Sequence, residues 1–207
     1  MSSNLFLLSP AFCGGRRAQM LLRPGASSDL AVRLREGTVT LGEAFAFMSA
    51  LYFRGKLAYA EAFASPGSTF VITPTRGLLS PDAIVSVDLL REFAAMDVNL
   101  DEPRYRKPLE RDLAALVAQG RAHDRVVLLG SVATGKYAEI LARTFGSRLH
   151  YPASFIGRGD MSRGGLLLRS ARAGTELEYV VLDTTAKRRG PRPPKLPRPG
   201  PGVVSGV

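Results

Sequence analysis

The chain has 207 residues, a length that fits one α/β domain and leaves no room for a second domain of ordinary size. Hydrophobic residues make up 45% of the sequence and charged residues 22%, so a wholly disordered or collagen-like chain is excluded. The 28 Lys and Arg residues outnumber the 18 Asp and Glu residues and give a net charge of +10, which points toward polyanions such as nucleic acid.

Much of that positive charge is in residues 187–207, which read KRRGPRPPKLPRPGPGVVSGV. Residues 1–186 hold 22 basic and 18 acidic side chains, so their net charge is only +4. We expect residues 1–186 to form a single domain. A tail so rich in Pro and Gly has little to bury, and we expect it to be disordered. It is either a solubilising extension or a tether for nucleic acid or a protein partner.

The sequence favours a cytoplasmic protein. Cys13 is the single cysteine, which excludes an internal disulfide and favours a reducing compartment. The opening residues, MSSNLFLLSPAF, lack the basic region of a secretory signal. Since no apolar run approaches the ~18 residues of a membrane span, we expect no membrane association.

Short apolar runs alternate with longer helical patterns along the chain, which predicts an α/β fold. The predicted strands are residues 5–8, 69–73, 125–129, 149–151 and 176–182. The predicted helices are residues 16–22, 29–35, 41–49, 56–64, 86–96, 136–145 and 161–172, with one more between Asp101 and Gly120. We therefore expect a mixed, mostly parallel sheet of about five strands flanked by helices.

Local signals set several of the predicted helix ends. Thr40 followed by Glu43 is a capping box, which starts the helix at residue 41. Gly55 interrupts the next apolar pattern and is expected to separate helix 41–49 from helix 56–64. Asp101 is the predicted N-cap of the helix that has Pro103 near its first turn.

The loop after the third predicted strand, residues 130–137, fits the pattern G-x-x-x-x-G-K of a phosphate-binding loop. Tyr137 stands where that motif needs Ser or Thr to ligate magnesium, so a structural turn is favoured over nucleotide hydrolysis. Lys136 is still a candidate phosphate contact, because the N-terminus of a helix attracts anions.

Aromatic and basic residues alternate in a second cluster at residues 52–56, with Tyr59 next on the helical face. Tyr52 and Tyr59 are candidates for stacking on bases, and Arg54 and Lys56 for holding phosphates. The alternative is an ordinary turn between helices with solvated charges.

The loop at residues 75–82 directly follows the second predicted strand. Ligands of α/β sheets bind at the carboxyl ends of strands, so Arg76 is a candidate phosphate contact here. Asp82 is a candidate acid or base.

A fourth segment, residues 155–165, combines four glycines with charged and hydroxylated side chains. Its glycines allow a ligand to approach the backbone closely, while Arg158, Ser162 and Arg163 offer phosphate contacts. Asp160 is either a helix N-cap or a general acid or base.

Other chemistries have little support in the sequence. His123, His150 and Cys13 are too few and too scattered for a zinc site or a Cys–His dyad, and we expect no metal and no cofactor. Cys13 is either a small buried residue, the commoner case, or a reactive thiol.

Five segments, taken in order, resemble the YaaA family of peroxide-stress proteins and its shorter YaaA-like relatives. They are residues 5–10 (LFLLSP), 51–63 (LYFRGKLAYAEAF), 72–82 (ITPTRGLLSPD), 126–141 with its Tyr137, and 154–168 with Met-Ser-Arg. The resemblance implies a mixed α/β fold, DNA binding and a role in the oxidative stress response, protecting DNA from damage linked to iron. The helix-hairpin-helix associated with DNA contact in that family has no clear counterpart in this chain.

Two main hypotheses follow for function. The first is a DNA- or RNA-binding protein of YaaA-like type with one basic cleft, built from Arg54, Lys56, Arg76, Lys136, Arg158 and Arg163. The second is an enzyme acting on the N-glycosidic bond or phosphate of a nucleobase or nucleotide, with Asp160 or Asp82 as acid or base and Tyr52 or Tyr137 stacking on the base. A third is an interaction protein that works through its proline-rich tail.

Overall fold

The computed structural model describes residues 4–119, 125–132, 135–182, 190–191 and 193–194. The strands are β1 (Asn4–Leu8), β2 (Thr69–Ile72), β3 (Leu78–Leu79), β4 (Arg125–Leu129), β5 (Leu149–Pro152) and β6 (Tyr179–Val181). The helices are α1 (Arg16–Leu22), α2 (Asp29–Arg35), α3 (Leu41–Phe63), α4 (Val87–Ala94), α5 (Pro103–Ala118), α6 (Gly135–Phe145) and α7 (Asp160–Ala173). Short 3-10 turns precede and follow β5 at Gly146–Arg148 and Ala153–Phe155.

The six strands form one sheet in the order β3-β2-β1-β4-β5-β6. β1 pairs in parallel with both β2 and β4, and β4 pairs in parallel with β5. The edge strands β3 and β6 pair antiparallel with β2 and β5. The predicted mixed, mostly parallel α/β sheet is therefore confirmed, with β3 as an additional strand too short to give a sequence pattern.

Strand β1 is buried along its whole length because helices cover both faces of the sheet. Phe6 and Leu8 pack into the core formed with α1 to α4 and α7. Leu5 and Leu7 point to the opposite face and pack against α5 and α6. The alternation of side chains along a strand thus sends one apolar run into two cores.

The predicted break at Gly55 is wrong. Helix α3 runs from Leu41 to Phe63 and kinks at Ala50, whose φ is 48°. Gly55 lies inside the helix, where a Cβ atom would come within 2.6 Å of the carbonyl oxygen of Gly164 on α7. Gly55 therefore serves the close approach of α3 and α7, and the chain bends five residues earlier.

One of the two predicted helix N-caps is confirmed and the other is wrong. The capping box is confirmed: the Glu43 amide donates to Thr40 Oγ1 at 3.2 Å, and the Thr40 amide donates to the Glu43 carboxylate at 3.0 Å. Asp101 is not the N-cap of α5, because that position belongs to Glu102, whose carboxylate accepts from the Arg104 amide at 3.0 Å.

Some predictions fall on residues outside the described part of the chain. These are His123, the helix end at Gly120, and residues 133 and 134 of the glycine-containing loop. Of the predicted tail, only Gly190, Pro191, Pro193 and Pro194 are described. Within the described residues, no helix combines the length and the apolar character that crossing a membrane requires.

Candidate active site

The sheet topology creates a crevice at the carboxyl ends of β1 and β4. The chain leaves β1 toward β2 on one side of it and leaves β4 toward β5 on the other side. Two connections that diverge in this way leave a gap where open α/β sheets bind their ligands. A cavity of about 320 Å³ lies there, which we call the strand-end cavity.

Aromatic and apolar side chains form much of the wall of the strand-end cavity, and a smaller polar set joins them. The aromatic members are Phe12, Tyr52, Phe93 and Tyr137, and the polar members include Ser9, Ser49, Asp97, Ser131, Lys136 and Asp160. Apolar walls with a few placed polar groups are typical of small-molecule sites, whose volumes run from about 300 to 1,000 Å³.

Lys56 on helix α3 is fully buried and contacts Ser9 and Tyr52, two residues that line this cavity. Its ammonium nitrogen lies 2.6 Å from the carbonyl oxygen of Ser9 and 3.0 Å from the Ser9 hydroxyl oxygen. The rings of Tyr52 and Phe53 each have their centroid 4.6 Å from the same nitrogen. Burial lowers the pKa of Lys56 to about 7, although the charge of Asp160 opposes that change.

Tyr137 connects the start of α6 to the end of β1. Its hydroxyl oxygen accepts a hydrogen bond from the Ser131 amide at 3.0 Å. Burial raises the pKa of Tyr137, and a hydrogen bond with the Ser9 side chain opposes the rise. A Cβ atom on Gly130 would lie 2.9 Å from Ser9 Cβ and 3.0 Å from the Tyr137 hydroxyl, so this loop glycine makes room for the contact.

Asp160 and Arg163 form a pair at the start of helix α7. The Arg163 guanidinium is nearly buried and donates to the carbonyl oxygen of Phe155 and, at 3.3 Å, to Asp160 Oδ1. The Asp160 side chain is 66% exposed and lines the strand-end cavity. Gly159 is the N-cap, so Asp160 is available to a ligand on its exposed side.

The six predicted cations do not share one cleft, so that prediction is wrong. Lys136 alone among them lines the strand-end cavity. Lys56 and Arg163 are buried and hydrogen-bonded to main-chain carbonyls. Arg76 pairs with Glu92 at 2.6 Å. Arg54 is exposed on α3, and Arg158 donates to Ser154 and to the hydroxyl of Ser162.

Two further predicted site residues lie elsewhere. Tyr59 is buried and its hydroxyl is 2.6 Å from that of Tyr179, so its predicted stacking on a base is wrong. Asp82 lines a separate cavity of about 270 Å³ beside Thr69, at the amino end of β2. The antiparallel strand β3 carries the chain back to the amino end of β2. Asp82 and Asp160 therefore lie at opposite ends of the strands.

The sequence did not single out Ser9 or Phe12 as site residues. Ser9 follows the central strand directly, and Phe12 is 78% exposed in the same loop. The rule that ligands bind beyond the carboxyl ends of strands, applied to β1, would have indicated both. Cys13 is buried in this loop, and burial raises its pKa to about 12. The thiol therefore stays protonated near neutral pH, and a protonated thiol is unreactive.

Comparisons with protein-family models, with curated proteins and with solved structures each gave no match. The resemblance to the YaaA family stays a prediction from five sequence segments. Within the described residues, no three His, Cys, Asp or Glu side chains are grouped to hold a metal ion. Inference about function therefore rests on the geometry of the strand-end cavity.

Proposed function

We propose that this protein is an enzyme that takes a nucleobase or nucleotide into the strand-end cavity. The main support for this proposal is that aromatic side chains and the polar residues Ser9, Lys136 and Asp160 line one cavity at the carboxyl ends of β1 and β4. A nucleobase is flat and apolar on its faces and polar on its edges, which matches this distribution of groups.

Phe12 is suited to stacking on a base. Its ring is 78% exposed and lies over the backbone of Gly14 and Gly15, where a Cβ atom would meet it at 3.1 and 3.2 Å. Glycine at those positions leaves the ring space to lie flat over the loop. Exposing a large apolar ring at the rim of a cavity is costly in isolation and favourable when a ligand covers it.

Polar groups in the cavity match the edge of a base and a phosphate. The ring of Tyr52 lines the cavity, while its hydroxyl is buried beside the Arg163 side chain. Asp160 can accept from a base N–H, and Lys136 at the start of α6 can face a phosphate.

Nucleic-acid binding of YaaA-like type is a second candidate because of a neighbouring surface. Arg158 and Arg169 line a cavity of about 840 Å³ next to α7, together with Gly157 and Gly159. Asp160 lines both this cavity and the strand-end cavity. A polynucleotide with one base in the strand-end cavity would therefore find arginines for its backbone close by.

The enzyme proposal is tested by incubating the protein with nucleosides and nucleotides and separating the products by liquid chromatography. Release of free base or of phosphate is expected. Asp160→Asn should lower the rate by about 100-fold or more if its carboxylate acts as acid or base. Asp82→Asn is the matched control and should keep the rate, since Asp82 lies at the opposite end of the strands, outside the strand-end cavity. Equal rates in both variants would remove Asp160 from the reaction.

The nucleic-acid candidate is tested by fluorescence anisotropy with single-stranded DNA and RNA oligonucleotides. Binding should weaken as salt is raised, because phosphate contacts release counterions. Arg169→Ala should reduce the salt dependence, whereas Arg23→Ala on the loop after α1 should leave it unchanged. Binding that is absent at low salt would exclude this candidate.

A further inference from the structure

Ser9 occupies an unusual position at the end of the central strand. It is the first residue after β1, its side chain is buried, and it lines the strand-end cavity. Its hydroxyl contacts Lys56 at 3.0 Å and forms a hydrogen bond with the Tyr137 side chain. One hydroxyl therefore lies between an amine and a phenol at the floor of the cavity.

The surroundings of Lys56 favour a neutral amine. No carboxylate among the described residues lies within ion-pair distance of its nitrogen. The more distant charge of Asp160 and the ring faces of Tyr52 and Phe53, 4.6 Å away, favour the ammonium form. Complete burial has the larger effect and lowers the pKa of Lys56 to about 7. A neutral amine keeps N–H groups to donate and gains a lone pair that accepts.

Both features of a neutral amine fit the observed geometry. An N–H of Lys56 donates to the carbonyl oxygen of Ser9 at 2.6 Å, which fixes the position of the nitrogen. The same nitrogen also donates to the Ser9 hydroxyl oxygen at 3.0 Å, and a neutral amine at this distance can instead accept the hydroxyl proton through its lone pair. An acceptor within hydrogen-bond distance of a hydroxyl is the arrangement that activates a serine.

Tyr137 fixes the orientation of the serine hydroxyl from the other side. The phenol oxygen is held by the Ser131 amide, and Gly130 lets it approach Ser9. Lys136, the neighbour of Tyr137 at the start of α6, brings a positive charge to the same cavity. The side chains around Ser9 thus provide a base, a positioning group and a cation for an anionic substrate.

We propose that Ser9 is a nucleophile, that Lys56 is its general base, and that Tyr137 is a positioning residue. The proposal rests on the proposed function and narrows it to hydrolysis of a nucleotide phosphate ester. Ser9 Oγ gives its proton to the Lys56 amine and bonds to phosphorus, while the bond from phosphorus to the leaving oxygen breaks. The leaving oxygen lies on the far side of phosphorus in an in-line displacement and takes a proton from solvent. Water then attacks the phosphoserine from that far side and loses a proton to solvent. Phosphate is released as Ser9 Oγ leaves and takes back the proton held by Lys56.

Labelling with an alkyl fluorophosphonate tests this assignment without knowledge of the substrate. The reaction forms the bond from Ser9 Oγ to phosphorus and expels fluoride, and mass spectrometry reads the product. We expect one label, mapped to Ser9, whose rate of formation rises with pH through a midpoint near 7. Ser9→Ala should abolish the label, and Ser65→Ala, which removes an exposed serine far from the cavity, should not change it.

Variants of the two partners separate their roles. Lys56→Met should slow labelling by about 100-fold and remove the midpoint near pH 7. Tyr137→Phe should slow labelling several-fold and keep the midpoint, since it removes a positioning hydroxyl only. Circular dichroism checks that each variant is folded, and the pH profile of the unmodified protein tests the base even if Lys56→Met does not fold.

Specific outcomes would overturn the proposal. An unlabelled native protein, a label on another residue, or a rate that simply follows hydroxide concentration to pH 9 would each do so. Protection by a nucleoside monophosphate connects the label to the proposed function. Labelling of Ser9 without such protection would keep the nucleophile and reject the nucleotide, whereas nucleotide binding to an unlabelled protein would reject the nucleophile alone.

Discussion

The side-chain nitrogen of Lys56 lies 3.0 Å from the hydroxyl oxygen of Ser9, and the lysine is fully buried. The carbonyl group of the same serine receives a second hydrogen bond from that nitrogen. Helix α3 is thereby connected to the carboxyl end of the central strand by two hydrogen bonds within the core. This contact also places a group whose pKa is lowered to about 7 against Ser9, which lines the strand-end cavity.

The buried lysine makes stability depend on pH in a defined direction. Its folded-state pKa of about 7 lies below its ordinary value, so the unfolded chain binds more protons between the two values. The native protein should therefore gain stability as pH rises above 7. Relative to Lys56→Met, we expect a gain of roughly 2 kcal/mol between pH 7 and pH 9, measured by urea unfolding. A difference that is constant with pH would show that the lysine keeps its ordinary pKa.

The contact between α3 and α7 depends on glycine at two facing positions. A Cβ atom on Gly55 would lie 2.6 Å from the backbone oxygen of Gly164, so Gly55→Ala should destabilise the fold by about 1–3 kcal/mol through overpacking. Gly165→Ala is the matched control on α7, where a Cβ atom meets nothing within 4 Å. That variant should gain up to about 1 kcal/mol from helix propensity. Similar thermal unfolding midpoints for the two variants would contradict this packing.

Tyr59 attaches the C-terminal part of the domain to α3. Its hydroxyl accepts from the Leu177 amide at 2.8 Å and lies 2.6 Å from the hydroxyl of Tyr179. Tyr59→Phe should cost about 1–3 kcal/mol because it leaves the amide without this acceptor. Tyr105→Phe removes a buried hydroxyl that has no partner among the described residues, and it should be neutral or stabilising. Equal losses in chemical denaturation would contradict the distinction.

The reactivity of Cys13 reports whether the loop after β1 buries its thiol. Burial raises the pKa of its thiol to about 12, and the thiol lies 3.5 Å from the carbonyl oxygen of Ala11. Iodoacetamide at pH 8 should modify the native protein far more slowly than the urea-unfolded protein, since the thiolate is the reactive form. Comparable rates in the two states would show that this loop exposes the thiol.

Local signals in the sequence predicted local structure well. The apolar run of β1 and the capping box at Thr40 and Glu43 depend on residues close together in the chain, and both are found as predicted. The role of Gly55 was misinterpreted because glycine is needed there for the close contact with Gly164, a residue distant in the sequence. The position of Asp82 was missed because the two-residue strand β3 reverses the chain before it.

The candidate site was only partly accessible from the sequence. Tyr52, Lys136, Tyr137 and Asp160 were proposed as site residues and do line one cavity. Lys56 was proposed as a phosphate contact because cations alternate with aromatic residues at 52–56, and composition does not reveal that its nitrogen is buried against the rings of Tyr52 and Phe53. The importance of Ser9 depends on its neighbours Lys56 and Tyr137, which come from two other elements of the fold.

Isothermal titration calorimetry with nucleoside 5′-monophosphates tests directly whether the strand-end cavity binds a nucleobase. We expect saturable binding of at least one nucleotide to the native protein. Phe12→Ala should weaken it about tenfold or more by removing the stacking ring, as stacking on one base is worth about 1–3 kcal/mol. Met20→Ala, which trims an exposed apolar side chain outside the cavity, should leave the affinity unchanged. No heat with any nucleotide, or equal affinities for native protein and Phe12→Ala, would contradict the account.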